Sequence, residues 1–181
     1  MIFTIGHSTR PAEVFLDLLG AHGVRQIADV RTVPKSRRHP QFGKEALEAA
    51  LHARGMTYRH FPALGGLRKP SADSINTGWR HSGFRGYADH MQTDAFRLAL
   101  DDLLAFAEGG TTAVMCAEAV WWQCHRMLIS DALAARAVNV DHIVNSRGAT
   151  AVQRHRLTPF ARIEAPATRD APPRVWYPGL V

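Results

Sequence analysis

The chain has 181 residues, 46% of them hydrophobic, and a formal net charge of +6. That length fills one substantial core without a second domain, two cysteines are too few for a disulfide scaffold, and no apolar run approaches the ~20 residues of a bilayer span. No secretory leader is recognisable at the N-terminus, so a cytoplasmic protein without membrane contact is expected, and the basic balance favours an anionic partner.

In chain order, Met1–Ile5 reads as a first strand and Gly6-His7-Ser8-Thr9-Arg10 as its exit loop. Pro11 suits a first helical position, with Val14, Leu16, Leu18 and Leu19 as apolar contacts and a break near Gly20 or Gly23. Val24–Val30 is a second strand ending in Asp29 and Arg31. Thr32–Phe42 holds Lys35, Arg37, Arg38 and His39 with two prolines and reads as a basic surface loop. Leu47, Ala50 and Leu51 give Gly43–Arg54 helical spacing, and Met56–Phe61 is a third strand.

Pro62–Met91 is the least regular stretch and reads as a basic lid, with Arg68, Lys69, Arg80, His81, Arg85 and Tyr87, anchored by Trp79 and Phe84. An amphipathic helix over Asp94–Glu108 ends at Gly109-Gly110. The buried strand Thr111–Met115 leads to Cys116, a helix over Met127–Arg136 follows, and Asn139–Asn145 is a fifth strand. Residues 1–155 form the α/β domain with all motif residues; 156–181 form a Pro-rich extended tail packed on it. Alternating strands and helices predict a three-layer sandwich with a mainly parallel sheet of about five strands, helices on both faces and right-handed crossovers.

This order brings three strand exits to one sheet edge: Gly6-His7-Ser8, Asp29-Val30-Arg31 and Cys116-Ala117-Glu118. In open α/β sheets ligands bind outside the carboxyl ends of the strands. Eleven residues, Cys116 to Arg126, hold both cysteines, a carboxylate, an imidazole and a guanidinium. Cys116, before a helix N-terminus and near His125 and Arg126, is placed to favour thiolate, as nucleophile or metal ligand; the competing reading is a small buried hydrophobe.

Cys124 falls on a helical stripe with Val120, Leu128 and Ala135, which favours burial, and Trp121 and Trp122 read as packing. Arg126 pairs with Glu118 or Asp29, or else contacts an anion. His7 is an acid/base group, a metal ligand or a loop cap. Asp29 and Arg31 orient His7, bind substrate, or satisfy one another.

Familiar sites fit poorly. A phosphatase-type cradle needs five residues between Cys and Arg in a Gly-bearing loop, whereas nine separate Cys116 from Arg126 and none is Gly. A dinucleotide fingerprint is absent after the first strand, where only Gly6 occurs. Seven residues separate Cys116 from Cys124, too many for a closely spaced zinc pair, so a divalent metal would need His7 or His125 as well.

Thr4-Ile5-Gly6-His7-Ser8-Thr9-Arg10, Asp29-Val30-Arg31 with Pro34 and Ser36-Arg37, Leu64-Gly65-Gly66, Cys116-Ala117-Glu118 and Cys124-His125-Arg126 together resemble the uncharacterised family catalogued as domain of unknown function 488. The likeness runs to about Ile143, and His155-Arg156-Leu157-Thr158-Pro159-Phe160 is also similar to its members. The resemblance supports the fold and the motif positions and brings no established activity.

The leading expectation is an enzyme acting on an anionic nucleotide, nucleobase or nucleic-acid substrate. Cys116, Glu118 and His7 carry the chemistry, and Ser8, Asp29, Arg31, Arg37, His125 and Arg126 contact the substrate. One alternative is a non-catalytic nucleic-acid-binding module using the loops Thr32–Phe42 and Pro62–Met91. Another is a metal-binding or redox protein using Cys116, Cys124 and His125.

Overall fold

The computed structural model describes residues 1–35, 37–146, 149–165 and 171–179. Ser36, part of one family-like motif, lies outside the described residues. Five strands, β1 (Ile2–Gly6), β2 (Gln26–Asp29), β3 (Thr57–His60), β4 (Thr112–Cys116) and β5 (Val140–Ser146), run parallel in the order β3-β2-β4-β1-β5. A sixth, β6 (Ala149–Arg154), joins β5 antiparallel at the edge, with Asp141 opposite Arg154. The sequence reading missed β6.

Period-two alternation along the strands divides the core. Ile2, Ala28, Val114 and Cys116 face one side, with α3 (Ser82–His90), α4 (Asp94–Glu108) and α5 (Arg126–Ala135). Phe3, Ile5, Ile27, Ala113 and Met115 face the other, with α1 (Ala12–Ala21) and α2 (Lys44–Ala53). The expected three-layer α/β architecture is therefore present. The central strands β1 and β4 are buried along their whole length, as parallel strands covered on both faces must be. Thr93 caps α4 by accepting the Phe96 amide at 3.2 Å.

Three sequence expectations are corrected. The supposed lid Pro62–Met91 contains a 3₁₀ turn, Pro62–Leu64, and α3, whose Tyr87 and Ala88 are core residues. Its many glycines suggested irregularity, but Gly86 lets α3 lie against the backbone of Arg68 and Lys69. Trp79 meets Phe84, Phe160 and Tyr177 at centroid distances of 4.9, 4.8 and 5.5 Å, so the segment is packed down. Cys124 is not on a helical stripe with Val120, Leu128 and Ala135: it is extended, between the 3₁₀ turn Trp121–Gln123 and α5. In the Pro-rich C-terminal region, β7 (Arg162–Glu164) and β8 (Arg174–Trp176) pair as an antiparallel ribbon rather than leaving the chain merely extended.

A buried polar chain ties this C-terminal region to the sheet. The Thr4 hydroxyl meets His142 Nδ1 at 2.7 Å, His142 Nε2 meets His155 Nδ1 at 3.0 Å, and His155 Nε2 meets Asp131 Oδ1 at 2.9 Å. Asp131 also accepts the Thr158 amide at 3.0 Å and the Tyr177 hydroxyl at 2.8 Å. One carboxylate on α5 thus collects three donors from the segment that follows β6. Trp121 closes the chain by stacking on His142 at 3.8 Å.

Burial, with lesser help from the charges of His155 and Arg126, lowers the His142 pKa to about 3, so the ring is neutral in the fold. An unfolded histidine titrates near 6.5. The unfolded chain therefore binds the extra proton first, and stability present above about pH 6.5 falls as pH drops toward the folded value. Urea midpoints should decline from pH 7 to pH 4, with a shallower decline in His142→Gln. Asp131→Ala, which orphans three buried donors, should cost about 3 kcal/mol or more at pH 7 in the same measurement.

Candidate functional site

The parallel ladder brings the motif residues together. Gly6 pairs with Cys116 at the ends of β1 and β4, and the pairing continues beyond the strands through His7 N to Cys116 O at 3.0 Å and Ser8 N to Ala117 O at 2.9 Å. Val30 N reaches Met115 O at 2.9 Å, which sets Val30 and Arg31 beside the same edge. Ser8 has φ of +52°, a left-handed conformation uncommon outside glycine, where the chain turns out of the sheet.

Arg126 is the centre of the arrangement. Its guanidinium is only 1% exposed, yet it makes no ion pair among the described residues. It donates from Nη2 to the Glu118 backbone carbonyl and from Nε to Cys124 Sγ at 3.4 Å. The expected bridge to a Glu118 or Asp29 carboxylate is absent among those residues. The Glu118 side chain is exposed, and its residue contributes the carbonyl instead. Gly6 makes this possible: a Cβ there would stand 2.6 Å from the Glu118 carbonyl carbon and 3.0 Å from Arg126 Nη2.

Both sulfurs are buried, Cys116 at 7% and Cys124 at 3% exposure. The thiolate falls to Cys124: burial pushes its pKa up, but the hydrogen bond from Cys116 together with the neighbouring His125 and the Arg126 charge outweigh it and hold the pKa well below the usual thiol range. Cys116 is pushed up, by its hydrogen bond to Cys124 and then by burial, and keeps its proton. The expectation of a thiolate bias at Cys116 is thus reversed within the pair.

His125 Nε2 donates to the Val30 carbonyl at 3.0 Å, since a carbonyl only accepts, and this turns Nδ1 toward Cys124 Sγ at 3.6 Å. The ring is held from two further sides. Tyr87 lies 5.1 Å away between centroids, and a Cβ on Gly66 would come within 2.8 Å of the His125 Cγ. Tyr87 itself donates to the Leu64 carbonyl at 2.8 Å, so Leu64-Gly65-Gly66 is the wall of the thiol site.

A second cluster abuts this one. Arg31 grips Asp29 from Nε and from Nη2, the latter at 2.5 Å, and Tyr58 adds its hydroxyl to Asp29 at 2.7 Å. Arg31 Nη1 donates to the Phe42 carbonyl at 2.7 Å and faces His7 Nε2 at 3.4 Å. His7 Nδ1 donates to Ser8 O at 2.9 Å, and its ring stacks on Phe42 at 4.2 Å. Burial lowers the His7 pKa to about 4. Asp29 and Arg31 thus satisfy one another and orient a neutral His7 whose two nitrogens are both engaged.

Arg10 donates from Nη1 to the Gly6 carbonyl and, at 3.3 Å, to the His7 carbonyl; its Nε is buried without a partner among the described residues. Its pKa is lowered, by burial and then by the like charge of Arg126. Arg37 is exposed on the basic loop, apart from the thiols in the contacts observed. The residues missed from sequence are Thr4, Asp131, His142, His155 and Tyr177 of the polar chain, and Gly66 and Tyr87 at His125. Asp131 alone carried a usable signal, as an acid inside the apolar run Leu128–Leu133.

Fold and site define a mainly parallel α/β protein with a buried thiol–imidazole–guanidinium cluster at the carboxyl edge of its sheet. The family described as "Domain of unknown function DUF488" matches residues 11–133, more than half of the chain, and the protein belongs to it. Neither a curated protein nor a solved structure matches. Among the described residues, no helix is long and apolar enough to cross a membrane.

Gly6→Ala should force apart the Glu118 carbonyl and Arg126. A loss of about 2 kcal/mol or more is expected from overpacking and the orphaned guanidinium. Urea denaturation checks it, with Gly20→Ala, where a Cβ meets nothing within 4 Å, as the control of unchanged or raised stability.

Proposed function

We propose that the protein is an enzyme acting on an anionic substrate, of the nucleotide, nucleobase or nucleic-acid-end class, with the Cys116/Cys124/His125 cluster as reaction centre. One observation carries this reading: Arg10 and Arg126 converge on Gly6, Arg10 Nη1 on its carbonyl and Arg126 Nη2 3.0 Å from where a Cβ on it would stand, and neither pairs with a carboxylate among the described residues. Two like charges in a partly desolvated place leave a demand for negative charge that the Cys124 sulfur meets only in part.

Cys124 supplies the charged sulfur, Cys116 holds the proton beside it, and His125 fixes the geometry. Glu118, exposed two residues beyond Cys116, is the acid/base group with access to solvent. His7 acts as a positioning residue, since Ser8 O and Arg31 occupy both its nitrogens. A nucleic-acid end would extend onto exposed Lys35, Arg37 and Arg38. The binding-module alternative gains less, because Arg68 and Arg85 spend donors on backbone carbonyls at 3.1 and 2.9 Å.

Paired alkylating probes test the site. Iodoacetate and iodoacetamide meet the same access barrier and differ in charge, so the ratio of their rates reads the local field. At neutral pH and low salt, metal-free protein should show a ratio raised about tenfold over a free thiol, carried by Cys124 and collapsing in Arg10→Gln. A ratio equal to that of a free thiol would reject an anion-seeking site.

A further inference from the structure

We propose that Cys116, Cys124 and His125 bind a divalent cation of the zinc class, leaving a fourth position for an anionic oxygen of the substrate. The Sγ atoms and the imidazole nitrogen all lie within 4.8 Å of one another, among side chains that are buried or half-buried. Zinc bonds of about 2.3 Å to sulfur and 2.0 Å to nitrogen at a tetrahedral angle set the two donors about 3.5 Å apart. Cys124 Sγ and His125 Nδ1 stand at 3.6 Å.

The imidazole is prepared as a ligand. Its Nε2 hydrogen is committed to the Val30 carbonyl, the outer-shell arrangement that fixes the tautomer of a metal-bound histidine. In the neutral ring the Nδ1 lone pair then points at a sulfur that already accepts from Arg126 Nε. Two electron-rich atoms facing each other require an electrophile between them, a proton or a metal ion. Burial favours the ion: sulfurs at 7% and 3% exposure are poorly placed to meet a substrate directly but well placed to hold a cation that does.

Charge gives the site its preference. Two thiolates neutralise a dication, and Arg126 beside them leaves the centre positive. A structural site with four cysteines would be negative and closed. Three donors and a guanidinium make an open site that takes an anion as its fourth ligand. This deepens the enzyme reading above and rests on its assignment of the cluster as reaction centre.

Cobalt(II) titration of the purified, chelator-treated full chain is the test. One ion per chain should bind with the sulfur-to-cobalt charge-transfer band and intense visible bands of a tetrahedral site, and zinc should displace it. Cys124→Ser should abolish the charge-transfer band or halve it. Gly66→Ala, which presses on the His125 ring without removing a donor, should weaken binding roughly 10–100-fold. Glu118→Gln should leave the titration unchanged.

The wild-type spectrum decides even if a variant fails to fold: only the weak bands of hydrated cobalt would overturn the metal site, as would a charge-transfer band untouched in a folded Cys124→Ser. The enzyme reading is separately exposed. A normal cobalt site with no iodoacetate preference in the metal-free protein upholds the metal and rejects the anion-seeking centre; the converse result rejects the metal and leaves a thiol site.

Discussion

A guanidinium taken out of water sets the terms for the rest of this site. Burying Arg126 carries a desolvation penalty of several kcal/mol unless its donors find partners, and among the described residues those partners are a backbone carbonyl and a sulfur rather than a carboxylate. Each partner makes a demand. The Glu118 carbonyl must turn inward, which requires a residue without a side chain at position 6 on the neighbouring strand. The sulfur is the better acceptor when it carries charge, and the hydrogen bond from the Cys116 thiol favours that charge. The positions that look most idiosyncratic in the sequence are thus mutual consequences of one buried cation.

The contrast between the two arginines at this edge is instructive. Arg31 is buried with a carboxylate two residues away, is saturated by Asp29 and the Phe42 carbonyl, and orients His7. Arg126 is buried to a greater degree and has no such acid among the described residues. With no carboxylate on the second guanidinium among the described residues, an electropositive place remains beside the thiols, and Arg10 adds to it.

Much of the fold and part of the site were legible in the sequence, for reasons that particular residues make plain. The first four strands and the helix over 94–108 announced themselves because apolar period and flanking glycines agreed locally. Strand exits in a parallel sheet share one edge, so the convergence of His7, Arg31 and Cys116 followed from element order alone. What stayed hidden depended on contacts distant in sequence. Gly86 in α3 reads as a loop residue until the backbone of Arg68 is laid against it. Which of two thiols ionises is invisible in a string of letters, because His125, Arg126 and burial act on Cys124 through space. His142 on β5, Asp131 on α5 and His155 just after β6 are far apart in sequence, and no spacing rule joins them.

That last network changes how the family-matched segment is understood. The match ends at residue 133, while Asp131 inside it takes its donors from His155, Thr158 and Tyr177 outside it. Asp131 and Arg126 share α5, which begins at Arg126, so the helix carries the site's buried cation at its first turn and the C-terminal anchor about one turn and a half later. Trp121, stacked on His142, lies on the short segment between Cys116 and Cys124. The C-terminal region therefore braces both sides of the thiol cluster: the helix that presents Arg126 and the turn that returns the chain to Cys124. The buried histidine chain is therefore part of what holds the thiol cluster in register.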